Sequence, residues 1–321
     1  MTARPALTVL LASPRGFCAG VERAIAAVEG ALAGSRRPVY VRHEIVHNGQ
    51  VVDDLKAKGA VFVDELSEIP DGSAAIFSAH GVPREVEREA ARRGLAVIDA
   101  TCPLVRRVHV EARRHAQAGR TVILIGHRGH VEVEGTIGQV DGPVHVVATA
   151  AEADAVAVED AGRVAYVTQT TLSVDDTREI IARLRRRFPA IVGPDTRTIC
   201  YATQNRQTAV RAMAARADRI IVCGAANSSN TTRLREVAEA AGRPALLMTQ
   251  AGDLTPSFVE GAGTVGLTAG ASAPEAMVRQ ALAQLALWRT VTVEEVQVVR
   301  ETTRFSPVDL SALAPRRPTA S

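Results

Sequence analysis

Aromatic residues are scarce in this 321-residue chain, at 3%: six Phe, three Tyr and one Trp. Any core must therefore be built from Ala, Val, Leu and Ile. Lysine is scarcer still, because Lys56 and Lys58 are the only lysines among 38 basic residues. No basic block is interleaved with aromatics, and the net charge is only +3 against 35 acidic residues. Despite a sequence pI near 8.9, that balance argues against a nucleic-acid surface. The cluster Arg183-Leu184-Arg185-Arg186-Arg187 reads as the solvated end of a helix. No apolar run has the length to span a bilayer. The stretch Leu7 to Ala12 is too short for a signal segment, so a cytoplasmic protein without membrane attachment is expected. Cysteines number four, Cys18, Cys102, Cys200 and Cys223, with no close C-x₂-C pair. In a reducing compartment such separated cysteines are metal ligands or catalytic groups rather than disulfides. No G-x-x-x-x-G-K-[ST] run exists, which excludes a nucleotide P-loop.

What the chain has in quantity is short apolar runs, within 46% hydrophobic residues. Strands are expected at Thr8–Ala12, Val39–Val41, Val61–Val63, Ala75–Ser78, Ala96–Asp99, Thr121–Ile125, Val144–Val147, Val164–Val167, Arg219–Cys223, Ala245–Met248 and Thr264–Thr268. They alternate with Ala/Arg-rich helical stretches, a pattern that means α/β units with mostly parallel sheets. In such sheets ligands collect at the carboxyl ends of strands.

The stretch Ser13-Pro14-Arg15-Gly16-Phe17-Cys18-Ala19-Gly20 lies between the first strand and a helix over Val21 to Leu32. A thiol there sits near a positive helix end that favours thiolate. The arrangement recurs. Cys102 and Cys200 follow at intervals of 84 and 98 residues, each after an extended stretch and before a helical one. We expect three quasi-repeated α/β modules in a pseudo-threefold assembly. Residues 1–102 hold an N-terminal strand and the first module, 103–197 the second, 198–290 the third, and 291–321 a C-terminal extension. The tail beyond Arg304, with Pro307, Pro315 and Pro318, has loop composition and no assigned chemistry. Cys223, inside Ile220-Ile221-Val222-Cys223, reads as plain core.

Three thiolates leave a metal one ligand short. A Cys₃ or Cys₃His zinc site is one answer, and a [4Fe–4S] cluster with one open iron is another. A zinc deaminase would pair H-x-E with P-C-x-x-C. His130-Val131-Glu132 matches the first half, but no second cysteine stands near Cys102. A cubane suits distant single cysteines, because its corners point in different directions. Around these thiols the expected strand ends carry His47-Asn48-Gly49, Ser78-Ala79-His80-Gly81, Gly126 to Glu132, Thr168-Gln169-Thr170-Thr171, Asn227-Ser228-Ser229-Asn230 and Ala269-Gly270-Ala271-Ser272. Imidazoles, hydroxyls and freed backbone N–H groups are what a diphosphate needs. His43, His109, His115 and His145 read as structural or surface residues, and His127 as a shaper of its loop. Glu132 is a carboxylate in the densest of these loops. In a dry pocket it would donate a proton, with Thr170 as relay. A Cys₃ zinc hydrolase of a phosphorylated metabolite and a non-enzymatic Fe–S sensor remain open as rival readings.

At this point the blocks PRGFCAGVERA, VRHEIVHN, FSAHGVP, DATCPLV, GHRGHVEVEGT, TQTTLSVDDT, ICYATQNRQ, NSSNTTRL and TAGASAP resemble one family from about Val9 to about Pro274. It is the LytB/IspH family, 4-hydroxy-3-methylbut-2-enyl diphosphate reductase of the non-mevalonate isoprenoid pathway. The resemblance implies a trefoil of three α/β modules around one [4Fe–4S] cluster per chain, with Cys18, Cys102 and Cys200 as ligands. It implies His47, His80 and His130, joined by Ser228, Ser229, Asn230 and Ser272, as holders of the diphosphate, and Glu132 with Thr170 as the proton-delivery pair. It further implies reductive dehydroxylation to isopentenyl and dimethylallyl diphosphates, with a ferredoxin or flavodoxin as electron donor. Two departures stand out. Val131 replaces a common Pro, and Ala225-Ala226 lacks a Lys often found before Asn227. Changed affinity is the expected consequence.

Overall fold

The computed structural model describes residues 4–35 and 38–313. Its strands are β1 Ala6–Ser13, β2 Val39–Arg42, β3 Ala60–Val63, β4 Ala74–Phe77, β5 Ala96–Asp99, β6 Thr121–Ile125, β7 Val144–Val147, β8 Val164–Thr168, β9 Arg219–Cys223, β10 Ala245–Met248, β11 Thr264–Ala269 and β12 Thr290–Gln297. Its helices are α1 Ala19–Gly34, α2 Gly49–Ala57, α3 Arg84–Arg92, α4 Pro103–Gln117, α5 Val131–Ile137, α6 Ala150–Ala155, α7 Val174–Arg187, α8 Tyr201–Ala214, α9 Ser229–Ala240 and α10 Glu275–Trp288. The chain is thus mixed α/β, as the alternation predicts. Every pairing between these strands is parallel.

The strands form three sheets, ordered β10-β9-β11-β1-β12, β3-β2-β4-β5 and β7-β6-β8. One order appears three times. In β3-β2-β4, β7-β6-β8 and β10-β9-β11 the first strand of each set lies in the middle, with its two successors on opposite sides. The chain reverses direction across the sheet between the first and third strand. Those are the switch points where open α/β sheets bind ligands. They fall after β2 and β4, after β6 and β8, and after β9 and β11.

The chain divides into two compact units, each taken by itself. The first contains β1, Thr170–Arg183 with most of α7, and everything from Pro194 to Thr303. Its five-stranded sheet is covered on both faces, and β1 shows why. Leu7, Val9 and Leu11 enter one core with Met277, Val278, Ala281 and Leu285 of α10. Leu10 and Ala12 enter the other, with Val210 and Met213 of α8 and Leu234 of α9. Alternate side chains of a strand face opposite ways, so a strand buried on both faces reads as one unbroken apolar run. Each fully buried Leu or Val contributes about 1.5–3 kcal/mol.

β12 escapes the apolar-run reading. It is a mostly exposed edge strand, TVTVEEVQ, held in parallel register against β1 from Ala6–Thr290 to Ser13–Gln297. Edge strands do without a continuous apolar face, and Glu294 and Glu295 suit an edge that must resist pairing with other chains.

The second unit, Ala19–Gln169, Leu184–Gly193 and the segment from Arg304, carries the other two sheets. Val63, Ala75, Phe77 and Val82 lie in one core, and Val108, Val122, Leu124 and Val167 in another. The run Arg185 to Arg187 is the exposed end of α7, as expected. Thr198, expected in an extended stretch before Cys200, closes a short 3₁₀ turn, Asp195–Thr198. Within this unit the segment after Arg304 lies beside α1, lining a cavity of about 280 Å³ with Ala19, Arg23 and Ala27. Pro315 and Pro318 fall outside the described residues.

Candidate functional site

In the second unit, the loops at two switch points bring three histidines together. The His47 and His80 rings stack with centroids 4.1 Å apart. His130 stands edge-on to both, at 5.3 Å from His47 and 6.1 Å from His80. His47 follows β2 and precedes α2, whose first turn Asn48 caps by accepting from the Val51 N–H at 3.2 Å. The β2 and β4 loops are joined by the Ala79 N–H donating to Ile45 O at 3.1 Å. His80 follows β4, and its Nδ1 lies 3.3 Å from the Ser78 hydroxyl. His130 caps α5, its Nδ1 accepting from the Glu132 N–H at 3.1 Å. In the neutral ring that acceptor role puts the proton on Nε2, which is then a donor.

Two glycines bring these loops close. Gly81 has φ +78°, and a Cβ on it would stand 2.5 Å from Cε1 of the buried His109. A Cβ on Gly135 of α5 would stand 3.3 Å from the Gly81 carbonyl group. The helix carrying His130 therefore lies directly on the backbone that carries His80. Burial is the main cause that holds His80 well below the ordinary 6.5, with His47, His130 and His43 adding to it. Burial also takes His130 down to about 4, helped by His47 and His127. His80 and His130 are therefore uncharged at neutral pH. Glu132, in the first turn of α5, is buried. Gln169, after β8, accepts from the His127 N–H at 3.0 Å and ties the two loops of that sheet together.

In the first unit, the switch point between β9 and β11 gathers the predicted Ser and Asn residues. Ser228 caps α9, and its hydroxyl lies 3.4 Å from that of Ser272. Ser229 accepts from the Thr171 hydroxyl at 3.0 Å. The Asn230 carbonyl accepts from the Ala271 N–H at 2.9 Å, and its amide donates to the Thr203 hydroxyl at 3.1 Å. Thr203 in turn lies 3.1 Å from Cys200 Sγ. The Thr170 carbonyl accepts from the Cys200 N–H at 3.0 Å, and Thr170 is buried.

All three predicted ligand cysteines stand at helix starts. Cys18 immediately precedes α1, and Cys102 and Cys200 are the N-cap residues of α4 and α8. None of the three is in a disulfide, and each is half-buried. Burial pushes the Cys200 thiol up to about 11, and the neighbouring Cys18 pushes the same way, against the Thr203 hydrogen bonds and Arg206. Those two thiols therefore feel one another. Cys102, in the other unit, donates its N–H to Ala79 O at 3.0 Å, next to His80. Among the described residues, no group of three or more His, Cys, Asp or Glu is arranged to hold a metal ion. Cys223 is buried in β9 with its thiol pushed up to about 12, chiefly by burial, a core residue as expected.

Sequence reading misses three residues here. Thr203 is found by its place three positions after an N-cap Cys. Glu44 accepts from or pairs with His47 Nδ1 at 3.0 Å. Arg206 is fully buried on α8 among Ala202, Ala209 and Val210. An Arg spaced at helical intervals from small apolar residues signals a buried guanidinium with fixed partners.

A sequence model described as LytB protein matches residues 9–286. The chain belongs to the LytB family. Among the relatives of this LytB-family chain, one from Zymomonas mobilis is 56% identical over 93% of this chain and 88% of its own length. One from Methylococcus capsulatus is 52% identical over 96% and 99%. Both are named 4-hydroxy-3-methylbut-2-enyl diphosphate reductase. The solved structure of the E-1-hydroxy-2-methyl-but-2-enyl-4-diphosphate reductase from Plasmodium falciparum matches with a TM-score of 0.90 at 36% identity, covering 94% of this chain and 96% of that one. A second solved structure, of (E)-4-hydroxy-3-methyl-but-2-enyl diphosphate reductase, the terminal enzyme of the non-mevalonate pathway, matches with a TM-score of 0.63 at 33% identity, over 87% and 99%. This LytB-family chain is accordingly an enzyme, an oxidoreductase. No helix among its described residues is long and apolar enough to cross a membrane.

Proposed function

We propose that this chain converts (E)-4-hydroxy-3-methylbut-2-enyl diphosphate to isopentenyl and dimethylallyl diphosphates, the last step of the non-mevalonate isoprenoid pathway, in the cytoplasm. The overall change is balanced by two electrons and two protons: a C–O bond breaks, a C–H bond forms, and water leaves. A ferredoxin or flavodoxin supplies the electrons one at a time. The observation that carries this reading is the imidazole cluster at two switch points, with centroids 4.1–6.1 Å apart, in a chain more than half identical to named reductases.

Cys18, Cys102 and Cys200 are assigned as the ligands of one [4Fe–4S] cluster. Their chemistry fits the group: three cysteine thiols, none in a disulfide, each at a helix start, where a helix end assists the thiolate that a bound metal requires. When bound, the cluster would supply single electrons and a Lewis-acidic iron that has no cysteine ligand.

The chain's own residues do the rest. Nε2–H of His130 donates to a diphosphate oxygen, its direction fixed by the Nδ1 bond to Glu132 N–H. His47 and His80 supply two more imidazoles, and the anion raises the affinity of buried His80 for a proton. The hydroxyls of Ser228, Ser229 and Ser272 and the amide of Asn230 bind the remaining oxygens. Because the phosphate end is fixed, the distal alcohol is held in one place. Glu132, buried at 2% exposure, holds a proton for the departing oxygen or the allylic carbon, and the Thr170 hydroxyl relays it.

The test is anaerobic turnover of the alcohol diphosphate with a reduced one-electron dye, after iron, sulfide and zinc analysis. Formation of both isomeric diphosphates by protein holding iron and sulfide is expected. A fully loaded protein that leaves the substrate unconsumed overturns the reading, and zinc without sulfide points to a hydrolase instead.

A further inference from the structure

The peptide unit that leads into each of the three helix-start cysteines is held at both of its ends. In the first unit, the Phe17 carbonyl accepts from Arg206 Nη2 at 3.3 Å, and the Cys18 N–H donates to Ala271 O at 3.2 Å. In the second unit, the Thr101 carbonyl accepts from Arg23 Nη1 at 3.1 Å, and the Cys102 N–H donates to Ala79 O at 3.0 Å. At Cys200, the Ile199 carbonyl accepts from Gln204 Nε2 at 2.7 Å, and the Cys200 N–H donates to Thr170 O at 3.0 Å. A trans peptide is planar, with its C=O and N–H pointing to opposite sides. Fixing both groups fixes the plane and with it the N–Cα axis, and the helix that starts at each cysteine sets φ, −56° at Cys102 and −66° at Cys200, so the Cα–Cβ bond departs in a set direction. The side chain keeps only its χ1 rotation.

The two guanidiniums are themselves held. Arg206, 0% exposed, also donates to Gly16 O at 2.6 Å, to Ala202 O at 3.1 Å and to Glu301 at 3.0 Å. Arg23 also donates to Ser306 O at 2.9 Å. Glu301 and Ser306 both belong to the segment that follows β12. A carboxylate beside a fully buried guanidinium is the pairing that such a charge needs. A segment with only loop composition thus supplies a partner for each clamp.

We propose that Arg23, Arg206 and Gln204 are positioning residues for the sulfurs of Cys102, Cys18 and Cys200, acting through the carbonyl before each thiol, and that Glu301 and Ser306 hold the two arginines in register. This rests on the reading of those cysteines as cluster ligands. A ligand set drawn from separate loops must arrive with its sulfurs already aimed, because iron–sulfur bonds tolerate little error in direction. Fixed peptide planes supply that aim without a second metal ligand nearby in sequence.

The test is alkylation of the reconstituted holoprotein by iodoacetamide under anaerobic conditions, with each cysteine followed by mass spectrometry. In the parent protein all three cysteines should be protected relative to the cluster-free form. Arg23→Ala should expose Cys102 at least about 10-fold faster than the parent while Cys18 and Cys200 change less, and Arg23→Lys, which keeps a donor, should restore most of the protection. Gln204→Ala should expose Cys200 first, and Arg206→Lys Cys18 first. Arg23 and Gln204 are half-buried, so their variants carry the test even if the Arg206 variant fails to fold. Protection in Arg23→Ala and Gln204→Ala equal to the parent's at all three positions overturns the proposal. So does equal loss at all three in variants with an unchanged melting temperature. Parent cysteines that react alike with and without reconstitution overturn the ligand assignment itself, and this proposal with it.

Discussion

Replacing His130 with Asn tests whether the imidazole cluster is the anion receptor, and whether it takes up protons as it fills. In the free protein His130 sits at about 4, mainly through burial and then through His47 and His127, and is neutral at pH 7. One phosphate charge about 4 Å from the ring interacts with the imidazolium by about 4 kcal/mol at an effective dielectric constant near 20. At roughly 1.4 kcal/mol per pKa unit that is about three units, enough to carry the ring from about 4 to the neighbourhood of 7. Protonation falls on Nδ1 and gives up the Glu132 N–H bond that it accepts in the free protein, about 1 kcal/mol, which a second phosphate charge more than offsets. The sign follows directly. The complex holds more protons than the free protein, so affinity rises as pH falls, from the ring's pKa in the complex down to about 4, and is flat below.

The assay is calorimetric titration of inorganic pyrophosphate into anaerobic holoprotein at pH 7, in two buffers of different ionisation enthalpy. The parent should take up about half a proton or more beyond what His130→Asn takes up, and comparing the two cancels the ligand's own protonation. Losing one hydrogen bond to a charged group costs about 1.5–3 kcal/mol, so the variant should bind about 10- to 100-fold more weakly. Equal proton uptake by parent and variant would refute the reasoning, even if affinity fell, because the ring would then be acting as a neutral donor alone.

Three further predictions follow from the same geometry. Glu132→Gln should retain iron and sulfide and bind pyrophosphate as the parent does, yet lose turnover by about 10²-fold or more; parental turnover would remove Glu132 from proton delivery. Gly81→Ala should lower stability by about 1–3 kcal/mol, because φ is +78° and the new Cβ would meet His109. Chemical denaturation measures that loss, and an unchanged midpoint would mean that the β4 loop is free to move. The cluster-free protein should lose stability between pH 7 and pH 5. His109 and His130 are both held at about 4, chiefly by burial. The unfolded chain therefore binds protons near 6.5 while the folded one does not, and stability present above that point drains away below it, by about 2 kcal/mol per ring at pH 5. A melting temperature independent of pH over that range contradicts the burial of both rings.

Much of this fold is legible in the sequence because its strands are buried on both faces. Leu7 to Ala12 is an unbroken apolar run because Leu7, Val9 and Leu11 fill one core while Leu10 and Ala12 fill the other. β12 is illegible for the complementary reason: its partner is β1 alone, and backbone pairing specifies no side-chain pattern. The histidines are legible as residue types at strand ends. What cannot be read is their mutual distance, which depends on how one helix settles on a neighbouring loop. Arg206 and Arg23 are visible as letters in family blocks, but their work lies in donating to carbonyls far away in the chain, such as Gly16 O and Thr101 O. No local pattern encodes a backbone acceptor.

The histidine cluster also explains why two glycines recur at its base. Three imidazoles with centroids as close as 4.1 Å cannot all be cationic without an anion between them, because like charges at that range repel by about 4 kcal/mol even in a moderately screening medium. The free protein keeps them together because burial holds His80 and His130 neutral. Burial in turn requires the α5 helix to lie on the β4 loop with no side chain between, the position that Gly135, against the Gly81 backbone, and Gly138, against Pro83, allow. Larger residues there would lift α5, admit water to His80 and His130, and let their pKa values return toward 6.5. The cluster would then be partly charged before any ligand arrived, and an entering anion would gain less by completing it. Backbone-to-backbone packing at the glycines is thus what sets the difference between the empty and the filled receptor.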